Sequence, residues 1–275
     1  MKTASTEHLS PAVTEGSVRS ADGTRIAFRR MGTGPAIVFV HGSLSTHTDW
    51  MRVARLLADS FTCILMDRRG RAKSGAGVGP YSMDREVEDI AAVLIEAGPV
   101  PALLGHSYGA ACALEAAMRR PVSRLVLYEP PLPAGGLAPA GHIAQYARAV
   151  EDGDLDKAVE LGLTNFSHLP PVAIAVARNS PGWHRLCALA KSWVRELEAV
   201  GALDPDVERY RALTCPSTLL VGELSPEHPM QQASRALAEV LPKVRVERLQ
   251  GQGHTAMRSA PEMVAALIRE FLLGA

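Results

Sequence analysis

The 275 residues are enough for one large α/β domain that carries an insertion. Lysines plus arginines and aspartates plus glutamates number 29 each, so the formal net charge is zero and no basic excess points to nucleic acid or a membrane surface. The four cysteines are widely spread and form no C-x-x-C pair, which favours free thiols in a cytoplasmic protein over disulfides or a metal site.

The first elements are short strands and turns. Residues 1–15 are polar, lack the apolar segment of a signal peptide and are interpreted as a loose leader. Ser17–Arg19 and Thr24–Arg30 flank Ala21-Asp22-Gly23 and are predicted to form a hairpin. The apolar run Ala36–Val40 predicts a strand buried on both faces, as in a parallel sheet. No apolar run in the sequence is long enough to cross a membrane.

Apolar runs and helical periodicities alternate along most of the remaining chain. Further strands are predicted at Cys63–Met66, Ala102–Leu104, Arg124–Glu129, Ser217–Val221 and Val244–Leu249. Helices are predicted at Asp49–Leu57, Met83–Ala97, Ala110–Met118, Gln231–Leu241 and Pro261–Leu273. Strands that alternate with helices in this way predict an α/β protein with a doubly wound, mostly parallel sheet.

One long segment interrupts this alternation. Residues 132–213 contain only helical patterns, at His142–Glu151, Leu155–Leu163, Val172–Ala177 and Trp183–Val200. We interpret the segment as a helical cap inserted into an α/β core made of residues 16–131 and 214–275. Three large aromatic residues of the cap are Trp183, Trp193 and Phe166. They are equally consistent with packing the core of the cap and with lining an apolar substrate pocket.

Residues 102–112 carry the strongest chemical signal of the chain. Gly105-His106-Ser107-Tyr108-Gly109 fits the G-x-S-x-G pattern and lies between a predicted strand and a predicted helix. A serine on such a tight turn is forced toward positive φ, and the glycines avoid Cβ clashes with neighbouring chains. The context predicts Ser107 as a nucleophile at the carboxyl edge of the sheet, where helix N–H groups can stabilise a developing oxyanion.

A serine hydroxyl is a poor nucleophile at neutral pH and needs a base that a third group orients. His254 is the preferred base, because it lies in a glycine-flanked loop between the last predicted strand and the last helix. His41 and His106 are predicted to hold the backbone around the site by hydrogen bonds. No set of His, Cys, Asp and Glu residues has metal-ligand spacing, so we expect neither a metal nor another cofactor.

These stretches, in their order along the chain, resemble the α/β-hydrolase superfamily from Ser17 to the C-terminus. The matching stretches are His41-Gly42, Asp67–Ser74, Gly105–Gly109 and Gly251–His254. The resemblance implies that Ser107 is the nucleophile and His254 the base. It also implies an oxyanion hole formed by the backbone N–H groups of Ser43 and Tyr108.

The acid of the expected triad departs from the common family pattern. Ser225 occupies the usual acid position, and a hydroxyl cannot carry the negative charge that stabilises an imidazolium. Glu129, at the end of the strand after Ser107, is the preferred acid, since relatives such as haloalkane dehalogenases carry theirs there. Pro130 favours an extended backbone at Glu129. Glu223 and Glu227 remain alternatives.

The sequence therefore predicts a cofactor-free serine hydrolase that acts on a carboxylic ester or lactone. The expected partner is a small, partly hydrophobic substrate, with neither nucleic acid nor a membrane, and formation of a homo-oligomer stays open. Two other classes of function stay open as well, because a fold does not fix a function. The same pocket serves lyases, perhydrolases, acyltransferases and cyclases, and a receptor-like protein would use it only to bind a ligand.

Overall fold

The computed structural model describes residues 11–133, 140–225 and 229–274. Its strands are β1 Thr14–Arg19, β2 Arg25–Met31, β3 Ala36–Val40, β4 Thr62–Met66, β5 Ala102–His106, β6 Leu125–Tyr128, β7 Ser217–Gly222 and β8 Val244–Leu249. They form one sheet in the order β1-β2-β4-β3-β5-β6-β7-β8. Only the β1–β2 and β2–β4 pairs of this described sheet are antiparallel, which confirms the predicted mostly parallel α/β architecture.

Helices cover both faces of the sheet. The outer helices are α1 Met51–Leu57, α2 Met83–Ala97, α3 Tyr108–Arg119, α9 Pro229–Val240, α10 Ala256–Ser259 and α11 Pro261–Leu273. Helices α2, α3 and α9 contribute to a hydrophobic core on one face, and α1, α10 and α11 to a core on the other. Every residue of β5 is buried, as its continuous apolar run predicts for a strand inside a doubly covered sheet.

Between β6 and β7 the described chain forms helices joined by turns and loops, and its described residues contain no strand. Its helices are α4 Ala140–Glu151, α5 Leu155–Asn165, α6 Pro171–Arg178, α7 Trp183–Ala190 and α8 Trp193–Gly201, followed by a 3₁₀ helix at Val207–Ala212. We call residues 140–212 the helical segment. Its helices share a hydrophobic core of their own, which includes Tyr146, Trp183 and Trp193.

Several bounds differ from the sequence prediction, and two of the differences matter most for the fold. The continuous helix predicted over Trp183–Val200 is wrong, because α7 and α8 are separate. The Ser192 backbone N–H and hydroxyl both donate to the carbonyl of Leu189, at 3.2 and 2.7 Å, which competes with continuation of the helix. In addition, β1 begins at Thr14, inside the stretch interpreted as a leader. No helix in the described parts of the chain has both the length and the apolarity needed to span a bilayer.

Candidate active site

The strand-to-helix turn at Ser107 has the strained geometry that the sequence pattern predicts. Ser107 has φ 53° and ψ −128°, a backbone conformation that side-chain-bearing residues rarely adopt. A Cβ atom on Gly105 would lie 2.3 Å from the Gly109 carbonyl oxygen, and one on Gly109 would lie 2.4 Å from the His41 carbonyl oxygen. Both positions therefore require glycine for steric reasons, and the turn holds Ser107 at the start of α3.

The crowding around Gly105 predicts how much stability is lost when a single methyl group is added there. Gly105→Ala is expected to lower the free energy of unfolding by about 3 kcal/mol or more, since the new Cβ would meet backbone atoms that cannot turn aside. Gly141→Ala is the matched control, because a Cβ there would meet nothing within 4 Å. Gly141 lies in helix α4, where alanine should leave the free energy of unfolding unchanged or raise it by up to about 1 kcal/mol. Urea denaturation measures both, and equal effects would contradict the steric argument.

An imidazole and a buried carboxylate meet beside Ser107. The Nδ1–H of His254 donates to Glu129 Oε2 at 2.5 Å, and the Glu129 side chain is fully buried. The other carboxylate oxygen accepts the backbone N–H of Gly222 at 2.8 Å. With Nδ1 protonated in this way, the lone pair of the His254 Nε2 is free to accept a proton. His254 and Ser107 line the same cavity.

The extended backbone expected at Glu129 from Pro130 is wrong. Glu129 has φ 46°, in the left-handed region, where its hydrogen bonds to His254, Gly222 and the Leu220 carbonyl hold it.

Opposing effects set the charge of Glu129. Burial by itself raises the pKa of this carboxyl, but its interaction with His254, together with the Gly222 N–H, holds the pKa below its ordinary value. Glu129 is therefore ionised at neutral pH. An ionised carboxylate in this place both fixes the orientation of the imidazole and stabilises its protonated form.

Two further side chains hold the loop that carries His254. The His106 Nε2–H donates to the backbone carbonyl of His254 at 2.8 Å, and the two imidazole rings lie 4.6 Å apart. The Tyr128 hydroxyl donates to the Gly253 carbonyl and accepts the Ala256 N–H. The role of Tyr128 was missed from the sequence, although its place directly before Glu129 at a strand end was an available signal.

The buried histidines make stability depend on pH. Burial lowers the pKa of both His41 and His106 well below the ordinary value of 6.5, so the folded protein keeps them neutral. Below pH 6.5 the unfolded chain binds more protons than the folded one, and stability is lost as the pH falls through that value. His106→Gln, which preserves a donor toward His254, should reduce the slope of unfolding free energy against pH by about 1.4 kcal/mol per unit.

The measurement is urea denaturation at several pH values between about 5 and 7, a window that lies around the ordinary histidine pKa. His184→Gln is the matched control, because it changes an exposed histidine. A slope that is the same in His106→Gln as in the parent would contradict the assignment of His106 as a buried neutral group.

The cavity beside Ser107 is lined by the core and by the helical segment together. Its volume is about 80 Å³. Lining residues from the helical segment are Asn165, Phe166, Ser167, His168, Trp193, Glu196, Leu197 and Val200. The sequence left open whether three aromatic residues pack together or line a pocket. Phe166 and Trp193 do both, whereas Trp183 packs within the segment and donates to Asp156 at 2.6 Å.

The two backbone N–H groups suggested as oxyanion donors belong to residues at this cavity. Ser43 and Tyr108 both line it. Tyr108 is the first residue of α3, and the first N–H groups of a helix have no acceptor within the helix. The partial positive charge of the helix N-terminus adds to the attraction for a developing negative charge.

Of the two alternative acids, the described residues include Glu223. Glu223 is exposed, and its carboxylate accepts the Gly251 N–H at 2.7 Å. Ser225 is buried next to Gly222, beside the carboxylate of Glu129. Glu227 lies outside the described residues. Among the described residues, no group of three or more His, Cys, Asp or Glu side chains is arranged so that it could hold a metal ion.

Comparison with known proteins establishes the family of the chain. A model of the alpha/beta hydrolase family matches residues 37–267, so the chain belongs to that family. An alpha/beta hydrolase from Sphaerobacter thermophilus has 32% identity and a TM-score of 0.83, over 94% of this chain and 100% of that one.

Two other relatives are more distant. A 2-(acetamidomethylene)succinate hydrolase from Mesorhizobium japonicum is 28% identical, over 89% of this chain and 90% of its own length. A thermophilic esterase from Thermogutta terrifontis shares the fold, with a TM-score of 0.72 and 22% identity over 95% of this chain and 98% of that chain.

Proposed function

We propose that the protein is a serine hydrolase that cleaves a carboxylic ester or lactone through an acyl-enzyme. The observation that carries the proposal is the hydrogen bond between His254 and the buried Glu129, at a cavity that Ser107 also lines. A hydroxyl, an imidazole and an orienting carboxylate are the three groups that nucleophilic acyl transfer requires. Membership of the alpha/beta hydrolase family supports hydrolysis as the class of reaction.

The reaction follows from the role of each group. Ser107 Oγ attacks the acyl carbon while His254 Nε2 takes its proton, and the carbonyl electrons move to the oxygen. The N–H groups of Ser43 and Tyr108 stabilise that oxyanion, each by about 3 kcal/mol. The tetrahedral intermediate then collapses, and the proton on His254 passes to the leaving alkoxide. Water, deprotonated by His254, releases the acid from Ser107 in the same way.

The lining of the cavity supports a compact, partly hydrophobic acyl group. The aromatic faces of Phe166 and Trp193 and the aliphatic side chains of Leu197 and Val200 line the cavity near Ser107. A volume of about 80 Å³ suits a short acyl chain or a small ring better than a long chain.

The experiment is a hydrolysis screen over p-nitrophenyl esters and lactones of graded size, with the Ser107→Ala variant as the blank. Turnover of short-chain esters or small lactones, absent from the blank, is the expected result. Equal turnover in protein and blank, or none with any substrate, would refute the proposal.

A further inference from the structure

Arg68 is a fully buried cation whose hydrogen bonds converge on the two residues before Ser43. Its side-chain Nε–H donates to the His41 carbonyl at 2.9 Å, and one terminal nitrogen donates to the Gly42 carbonyl at 3.2 Å. Its backbone N–H donates to His41 Nε2 at 3.1 Å. Arg68 lies two residues after the end of β4, which pairs with β3, so the neighbouring strand of the sheet supplies the support for the loop after β3.

The bond to the Gly42 carbonyl matters because of peptide geometry. The Gly42 C=O and the Ser43 N–H belong to one planar trans peptide unit and point in opposite directions. Fixing the carbonyl therefore fixes the direction of the N–H that we assign to the oxyanion hole. A cationic donor on the carbonyl also polarises the amide and makes its N–H a stronger donor.

His41 adds a second donor to the same carbonyl. Since its Nε2 accepts the Arg68 N–H, its Nδ1 carries the proton and donates to the Gly42 carbonyl at 2.9 Å. Burial, followed by the charge of Arg68, lowers the pKa of His41 well below its ordinary value, which keeps the ring neutral as this arrangement requires.

The rest of the Arg68 guanidinium is held by acidic side chains and by an aromatic ring. Its other terminal nitrogen pairs with Glu86 at 3.0 Å, and the nitrogen on Gly42 also pairs with Glu196 of α8 at 2.6 Å. The guanidinium lies 4.7 Å from the ring centroid of Tyr108, the residue that carries the other assigned N–H. A planar group with several bonds in fixed directions has little freedom to move.

We propose that Arg68 is a positioning residue that orients and polarises the Gly42–Ser43 peptide, and that Glu196 ties this function to the helical segment. The inference rests on the proposed function, because it assumes that the Ser43 N–H stabilises an oxyanion. It assigns the Arg68 side chain a role in the transition state and none in ground-state binding. Arg69, the next residue, is also a buried arginine but pairs with Asp89 and Asp22.

The test compares two inhibitors of the same alkyl chain. A trifluoromethyl ketone adds Ser107 to its carbonyl carbon, passes the serine proton to His254 and forms an oxyanion, whereas the methyl ketone binds without addition. In Arg68→Lys, the inhibition constant of the trifluoromethyl ketone should rise about tenfold or more, since a misdirected donor loses part of its effect. The constant for the methyl ketone should change less than about twofold, because that ligand develops no charge.

Arg68→Lys should therefore lower the ratio of the methyl ketone's inhibition constant to that of the trifluoromethyl ketone. Arg69→Lys is the matched control and should leave this ratio unchanged. An unchanged ratio in Arg68→Lys, or an equal fall in Arg69→Lys, would overturn the inference. If the parent protein binds the trifluoromethyl ketone no more tightly than the methyl ketone, the proposed function itself fails, and the role of Arg68 with it.

A second variant covers the case in which Arg68→Lys does not fold. Arg68→Met combined with Glu86→Leu removes both partners of one buried ion pair and leaves the pair of Arg71 with Glu196 in place. Such paired apolar replacements are often tolerated. The ratio should fall by the same factor of about ten or more in this double variant, because the Gly42 carbonyl again loses its cationic donor. A folded double variant with the parent ratio would overturn the inference.

Discussion

Ser107→Ala is expected to lower kcat for ester hydrolysis by a factor of about 10⁴ or more, since the acyl-enzyme can no longer form. The KM should change far less, because the other residues that line the cavity remain. The measurement is initial-rate kinetics on the best ester from the substrate screen, with circular dichroism to confirm that the variant is folded.

Ser167→Ala is the matched control for this substitution. Ser167 lines the same cavity from the helical segment, but it lies outside the strained strand-to-helix turn that holds Ser107 at the start of α3. The control should keep kcat within about threefold of the parent, as expected for a side chain that takes no part in the chemistry. A Ser107→Ala variant that retains a tenth of the parent activity, or a Ser167→Ala variant that loses as much as Ser107→Ala, would refute the assignment.

Glu129→Gln is expected to reduce kcat by a factor of about 10³ to 10⁴. Glutamine has nearly the same shape, but it is neutral and cannot stabilise the imidazolium that forms as Ser107 loses its proton. Its amide can also donate to Nδ1, which would favour the wrong tautomer of His254 and protonate Nε2, the atom that must accept the proton.

Glu223→Gln serves as the matched control for the acid. This glutamate is exposed and accepts only the Gly251 N–H among the described contacts, so its replacement should change kcat by less than about threefold. Parallel kinetics on the two variants decide between the candidates. If Glu223→Gln is the more damaging change, Glu129 is not the acid, whatever its distance from His254.

Local sequence patterns predicted most of the core. Continuous apolar runs identified the parallel strands, because a strand that is buried on both faces carries apolar side chains at successive positions. Helix Met83–Ala97 and strand Val244–Leu249 have the bounds that their periodicities indicated. The break between α7 and α8 was not predicted, because apolar spacing runs on through Lys191 and Ser192 and the competing hydrogen bonds of Ser192 are visible only in three dimensions.

The reacting residues of the candidate site could be predicted from the sequence, whereas many of the contacts that hold them in position could not. Ser107 and His254 belong to glycine-bounded loops that chain order alone brings to one edge of the sheet. The contacts of Arg68 could not be predicted, since its partners lie from 18 to 128 residues away in the chain. The many charged residues in the loop after β4 indicate a solvent-exposed loop when only the sequence is considered. In the structure, Arg68 and Arg71 are buried and pair with Glu196.

The most direct test of the account is to find which residue becomes covalently modified. A fluorophosphonate probe followed by digestion and peptide mass spectrometry reports that residue without any assumption about the natural substrate. The account predicts a single adduct on Ser107, lost in Ser107→Ala and formed much more slowly in His254→Ala. An adduct on any other residue, or turnover of esters by a protein that the probe leaves unmodified, would contradict it.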